Sequence, residues 1–163
     1  MKPKQLTLFF ALLVAKIAIT QTSIYTDVLV IGGGTGGTAA GIQSARMGVK
    51  TIITEEGPWL GGMLSSAGVS ATDGNHDLPS GIWNEFRNEI YKLYGGPQKV
   101  ATGWVSNTQF EPEVADSIFK SMAAKEKKLT VYFHYRFLNV IKKNNQLTGA
   151  QFINIQTGKR III

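Results

Sequence analysis

One segment constrains this chain more than any other: Asp27-Val28-Leu29-Val30-Ile31-Gly32-Gly33-Gly34-Thr35-Gly36-Gly37. An apolar, β-branched run stops at a glycine, and glycines recur as Gly32-x-Gly34-x-x-Gly37. The stretch from Thr38 to Met47 reads as a helix that ends at Gly48. A second β-branched run, Val49 to Thr54, comes next and stops at Glu55. Strand, glycine turn, helix, strand, acid is the order that binds the adenosine half of a dinucleotide.

Each part has a mechanical job. Gly32 allows the tight turn out of the strand. Gly34 presents no side chain, so a pyrophosphate can approach the backbone. Gly37 lets the helix lie close to the sheet. The helix N-terminus points N–H groups and a partial positive charge toward the phosphates. Glu55, at the end of the second strand, can accept hydrogen bonds from ribose hydroxyls. Its charge would repel a 2′-phosphate, which argues against NADP. Small residues continue along the helix as Gly41, Ala45 and Gly48.

The choice between FAD and NAD rests on the residues after the acid. The chain reads Glu55-Glu56-Gly57-Pro58-Trp59-Leu60-Gly61-Gly62-Met63. This resembles the FAD-binding domain of glutathione-reductase-like flavoproteins, where a second glycine pair comes after the ribose acid. The wider pattern includes Leu64-Ser65-Ser66, Thr72-Asp73-Gly74, Phe110-Glu111-Pro112-Glu113 and a C-terminal β segment. Over roughly residues 25 to 163 it is similar to the bacterial FAD-dependent oxidoreductase family that includes xanthan lyase-like proteins. The resemblance implies an α/β, Rossmann-like FAD/NAD(P)-binding domain, with a parallel sheet and an antiparallel β-meander. It also implies FAD as cofactor, with Gly32, Gly34, Gly37 and Glu55 at its adenosine end. Gly61, Gly62, Met63 and Ser65 then lie along the path to the flavin ring. The implied reaction is hydride transfer from an unknown small-molecule substrate to flavin. A carbohydrate-linked substrate is suggested only by the family's name. Two other readings stay open: an NAD-binding protein, against which Gly61-Gly62 and the meander speak, and a non-catalytic nucleotide-binding remnant.

Composition closes several routes. The chain has 163 residues and no cysteine, which removes disulfides, thiolate nucleophiles and Cys-ligated clusters or zinc. The net charge of +6 is inflated by Lys2, Lys4 and Lys16, which precede the first acid, Asp27. The remaining charge is too mild and dispersed for nucleic-acid binding. No metal site is expected; the acids around Asp73 do not match calcium-loop spacing.

Residues 1–22 read as a secretory signal peptide: a basic start at Lys2 and Lys4, an apolar core from Leu6 to Ala15, then small or polar Ala18, Thr20 and Ser23. Lys16 interrupts the apolar run, so no stable membrane span is expected after cleavage. The reading implies an exported protein, periplasmic or extracellular. An uncleaved membrane anchor is the alternative.

Residues 23–163 are then expected to form the N-terminal part of the FAD-binding domain. Ser65 to Ser80 reads as a loop. Ile82 to Tyr94 has helical spacing and ends at Gly95-Gly96-Pro97. Residues 98–109 read as irregular. Pro112 opens another helix, carrying Val114, Ile118, Phe119 and Met122 inward, with a polar tail to Lys128. Leu129 to Phe133 reads as a parallel strand. The meander comes last, as Phe137–Lys142, Leu147–Ile155 and Lys159–Ile163, with turns at Asn144-Asn145 and Thr157-Gly158. Ile161-Ile162-Ile163 reads as an unpaired edge strand, the expectation being a truncated chain without turnover by itself. His76, in Asp73-Gly74-Asn75-His76-Asp77, is a candidate acid or base near the flavin, and a polar turn otherwise. His134 reads as a structural residue within a strand. The three tryptophans, Trp59, Trp83 and Trp104, line a ligand or simply pack.

Overall fold

A computed structural model describes residues 22–74, 77–101 and 106–163. Residues 1–21 of the signal-peptide segment, with His76 and Trp104, therefore lie outside the described residues. Three parallel strands form the nucleotide-binding sheet in the order β2-β3-β6, with β2 at Val28–Ile31, β3 at Thr51–Glu55 and β6 at Leu129–Phe133. The first four residues of β3 are buried, as befits a central strand covered on both faces.

Successive residues of β3 point to opposite faces. Ile53 joins the helical layer, a cluster with Ile42, Leu60, Phe86, Ile90, Phe119 and Met122. Ile52 joins the other layer, with Ala150, Phe152, Ile161 and Ile163. Apart from Ala150, each of these buried side chains stabilises the fold by about 1.5–3 kcal/mol.

Helix α1 spans Thr35–Arg46, so it begins at the glycine turn itself, earlier than Thr38. Thr35, Gly36 and Gly37 supply the first helical residues, which apolar periodicity cannot mark. Helix α2 (Gly81–Tyr94) ends as expected, at a left-handed Gly95. A short helix α3 (Pro97–Val100) comes next. Helix α4 spans Pro112–Ala124, and its expected tail to Lys128 is instead a turn into β6. The Phe86 ring stacks on Phe119 at 4.5 Å and meets Phe110 edge-on at 5.5 Å, which joins α2 to α4. At the rim, Arg46 of α1 donates to Glu85 of α2 and to Glu126 beyond α4. Its guanidinium holds the Glu85 carboxyl below the ordinary carboxylate range.

Two segments expected to be irregular contain a hairpin-like pair. Strand β4 (Ala71–Asp73) runs antiparallel to β5 (Ser106–Gln109), with a bulge after Thr72. The pairing partners are more than thirty residues apart, so no local pattern announces them.

The meander comprises β7 (Tyr135–Lys143), β8 (Gln146–Asn154) and β9 (Arg160–Ile162). It stacks on the face of the parallel sheet opposite the helices. Two strand assignments need correction. His134 does not lie within a strand; it has φ 65° and forms a one-residue corner through which the chain leaves β6 and enters β7. Ile161-Ile162-Ile163 is not an unpaired edge either. Strand β1 (Thr22–Ser23) pairs with β9 in parallel, Thr22 opposite Ile161, giving the order β1-β9-β8-β7. Ile163 also exchanges both backbone hydrogen bonds with Ala150, at 3.0 and 2.7 Å. The terminal isoleucines thus fill the middle of a sheet.

This two-sided core predicts that Phe152→Ala lowers unfolding free energy by about 3–5 kcal/mol in urea denaturation. Leu147→Ala, at a 67% exposed position on the same strand, should change it by less than about 0.5 kcal/mol.

Candidate functional site

The site is built around the N-terminus of α1. The chain leaves β2 at Gly32, whose φ of +96° is a left-handed turn that side chains disfavour. Gly32 N–H donates to Thr54 O at 2.8 Å, so the turn stays attached to β3. Gly37, one turn into the helix, lies directly over the Gly32 carbonyl; any Cβ there would overlap that oxygen. Gly41 plays the same role one turn later, where a Cβ would run into the Ile53 side chain. The expected close approach of helix to sheet is therefore real, and two glycines create it.

Gly34 is different. It caps α1 in an extended conformation, and no protein atom lies within 4 Å of the position its Cβ would take. No side chain caps the helix, and no acid sits in its first turn. The first-turn amides and the positive end of the helix dipole thus face open space, an arrangement that suits an anion.

Glu55 closes one side. Its Oε2 accepts from Gly33 N–H at 2.6 Å, and its Oε1 accepts from Gly57 N–H at 2.7 Å. The carboxylate is held against the glycine turn, half-buried, with lone pairs remaining for further donors. Each such charge-assisted bond contributes about 1.5–3 kcal/mol. Beyond it, Arg136 of β7 pairs with Glu56 at 2.7 Å, so the turn after β3 is also tied to the meander.

The second glycine pair closes the other side. Gly61 N–H donates to Gly33 O at 2.9 Å, and Thr35 Oγ1 donates to Gly61 O at 2.6 Å. Gly62 lies so near Gly34 that a Cβ would stand 2.8 Å from its Cα. Gly32, Gly34, Gly37, Glu55, Gly61 and Gly62 are thereby gathered at one place. Met63 is exposed beside them. Ser65 is buried, and its hydroxyl donates inward to Leu60 O at 2.5 Å.

Four participants escape sequence reasoning. Gly33 occupies a free position of the glycine pattern, yet a Cβ there would stand 2.6 Å from Leu60 Cδ2 and 3.1 Å from Glu55 Oε2. The unbroken Gly32-Gly33-Gly34 run was its signal. Thr38 is buried and donates from Oγ1 to Gly33 O at 2.8 Å. Thr35 and Asp116 bond the Leu60–Gly61 backbone, and nothing local marks either. Trp83 lies over an apolar cavity of about 120 Å³ beside α1, lined also by Thr35, Ala39, Leu64, Phe86 and Phe119. Arg87, almost fully buried, stacks between Trp83 and Tyr91 at 5.6 and 5.4 Å from the ring centroids. Among the described residues no cluster of His, Cys, Asp or Glu could hold a metal ion, and no helix is long and apolar enough to cross a membrane.

Residues 27–162 match the family described as FAD dependent oxidoreductase. The chain belongs to that family. FAD is the cofactor of its members. The chain is 40% identical over 60 residues to the mitochondrial dihydrolipoyl dehydrogenase of Caenorhabditis elegans, covering 37% of this chain and 12% of that protein. It is 29% identical over 143 residues to the digeranylgeranylglycerophospholipid reductase of Thermoplasma acidophilum, covering 77% of this chain and 34% of that protein. The chain thus spans about a third or less of these relatives. In fold it is similar to the glycerol-3-phosphate dehydrogenase of Bacillus halodurans complexed with FAD, with a TM-score of 0.58 and 15% identity over 88% of this chain and 32% of that one.

The glycine crossing gives a sharp expectation for this FAD-dependent oxidoreductase fold. Gly37→Ala should cost at least about 2 kcal/mol of stability by overpacking backbone against backbone. Chemical denaturation of the variant without cofactor measures it.

Proposed function

We propose that the glycine turn, Glu55 and the Gly61-Gly62 segment hold FAD, and that the protein uses it to oxidise a small organic substrate. The observation that carries the reading is the open space at Gly34. The uncapped N-terminus of α1 faces a gap that a single Cβ would begin to fill, flanked by Glu55 and the second glycine pair. Gly34 and the first-turn amides of α1 receive the pyrophosphate. Glu55 accepts from the adenosine ribose while keeping its bonds to Gly33 and Gly57. Its charge excludes a 2′-phosphate. Gly61 and Gly62 leave the backbone bare where the flavin-bearing half passes, and Met63 lies at the exposed side. Ser65 contributes by holding Leu60.

When bound, FAD supplies reversible hydride acceptance. The chain's own contribution is to bind, orient and exclude water. The apolar wall formed by Leu64, Ile82, Trp83 and Phe86 beside α1 serves the last of these. The substrate is unassigned; a carbohydrate-linked compound has only the family's name behind it.

Two variants test the site. Gly34→Val should leave the stability of the cofactor-free protein within about 0.5 kcal/mol, since no protein atom is near, yet abolish FAD binding. Glu55→Ala should lose about 1–3 kcal/mol of FAD affinity. Flavin fluorescence titration measures both. Wild-type affinity in Gly34→Val sinks the assignment; wild-type affinity in Glu55→Ala moves the ribose contact elsewhere.

Export is part of the same proposal and rests on the basic, apolar and small-residue succession before Ser23. N-terminal sequencing of protein from the exported fraction should return a start between Thr20 and Ser23. A start at Met1 would mean an anchor.

A further inference from the structure

One distant carboxylate reaches the Leu60–Gly62 segment. Asp116 lies in the middle of α4 and is 7% exposed. Its Oδ1 accepts the Leu60 N–H at 2.8 Å, across 56 residues of sequence. Its Oδ2 accepts from Lys120 Nζ at 2.7 Å, one turn along the same helix. Phe119, on the same helical face, lies under Gly61, where a Cβ would stand 2.6 Å from its ring.

The next residue outward touches the nucleotide turn. Gly61 N–H reaches Gly33 O, and Gly61 O receives Thr35 Oγ1. Ser65 fastens the Leu60 carbonyl from the other side. Both polar groups of Leu60 are therefore held by side chains. The residue itself is fully buried.

Stability alone does not call for a carboxylate here. Taking a charge out of water costs several kcal/mol, and a buried pair often does no better than apolar packing. What a carboxylate does, and leucine cannot, is fix the height of one backbone N–H relative to α4. A mid-helix residue on a rigid element is well suited to that.

We propose that Asp116 is a positioning residue of the cofactor site, setting the Leu60–Gly62 backbone through the Leu60 amide, with Lys120 balancing its charge. The proposal rests on the FAD reading for its consequence, and on the chain's own geometry for its mechanism.

Two measurements on the full chain separate these. Amide hydrogen exchange without cofactor reads the loop. In Asp116→Ala the Leu60 and Gly61 amides should exchange roughly ten-fold faster or more, while Ile52 and Ile53 of β3 keep their protection. FAD titration, with circular dichroism of the bound flavin band, reads the consequence: roughly ten-fold weaker binding and an altered band. Asp116→Asn keeps an acceptor for Leu60 and should stay within about three-fold of wild type in both. Lys120→Met should do the same, since the Leu60 bond survives. Ile161→Val, a change in the core layer on the other face of the sheet, should lower stability without changing the flavin band.

Unchanged Leu60 and Gly61 exchange in Asp116→Ala overturns the proposal. So does a loosened loop with wild-type flavin affinity and band. Should Asp116→Ala fail to fold, Asp116→Asn and Asp116→Glu decide: the proposal requires the amide to bind FAD better than the longer acid, and the reverse order refutes it. If wild type binds no FAD, the functional reading fails, and exchange alone still decides whether Asp116 fixes the loop.

Discussion

The architecture depends on the crossing of α1 over the end of β2. Gly37 stands over the carbonyl of Gly32 with no room for a methyl group, and Gly41 stands over Ile53. Because the helix axis comes this close, the helix N-terminus sits just above the strand ends, and the Glu55 carboxylate can reach Gly33. A helix carried by ordinary side chains would stand farther out, and Glu55 would lose its 2.6 Å bond. One steric fact therefore sets the spacing on which the electrostatics of the site rely.

From that crossing the site is stabilised in layers of falling sequence proximity. The glycine turn and Glu55 belong to one βαβ unit. The Gly61-Gly62 segment folds back onto the turn through backbone hydrogen bonds. Helix α4 then supports that segment with Asp116 and Phe119. The meander contributes last, through the exposed pair of Arg136 with Glu56. Such a pair is worth at most about 1 kcal/mol. That outermost tie is exposed, so it adjusts the site, while the buried and half-buried ties inside it define it.

The same ordering explains how much of the fold the sequence discloses. The βαβ unit is legible because its period, its glycines and its terminal acid are local. Glu55 is legible for the same reason. The positions of β6 and the meander are legible as β-branched runs with turn residues between them. Strands β4 and β5 are not, since each is short, polar and dependent on a partner far along the chain. The pairing of β1 with β9 is equally hidden, and it reverses the reading of Ile161-Ile162-Ile163: an apolar run looks like a bare edge until a strand from the other end of the chain covers it. Asp116 is invisible because a lone acid on an amphipathic helix reads as solvated. Only a buried donor 56 residues away, the Leu60 amide, changes its meaning.

Glu55 shows how structure and binding share one group. Both of its oxygens accept backbone N–H groups before any ligand is considered. A carboxylate has capacity for about four hydrogen bonds, so two remain for further donors. The protein's own bonds fix the orientation of the remaining lone pairs. The entropy of ordering that side chain is therefore lost on folding and not again on binding. A free surface glutamate offers the same charge without this preorganisation. The acid at the end of the second strand thus serves the turn first, and a ligand donor would meet a carboxylate already oriented by that service.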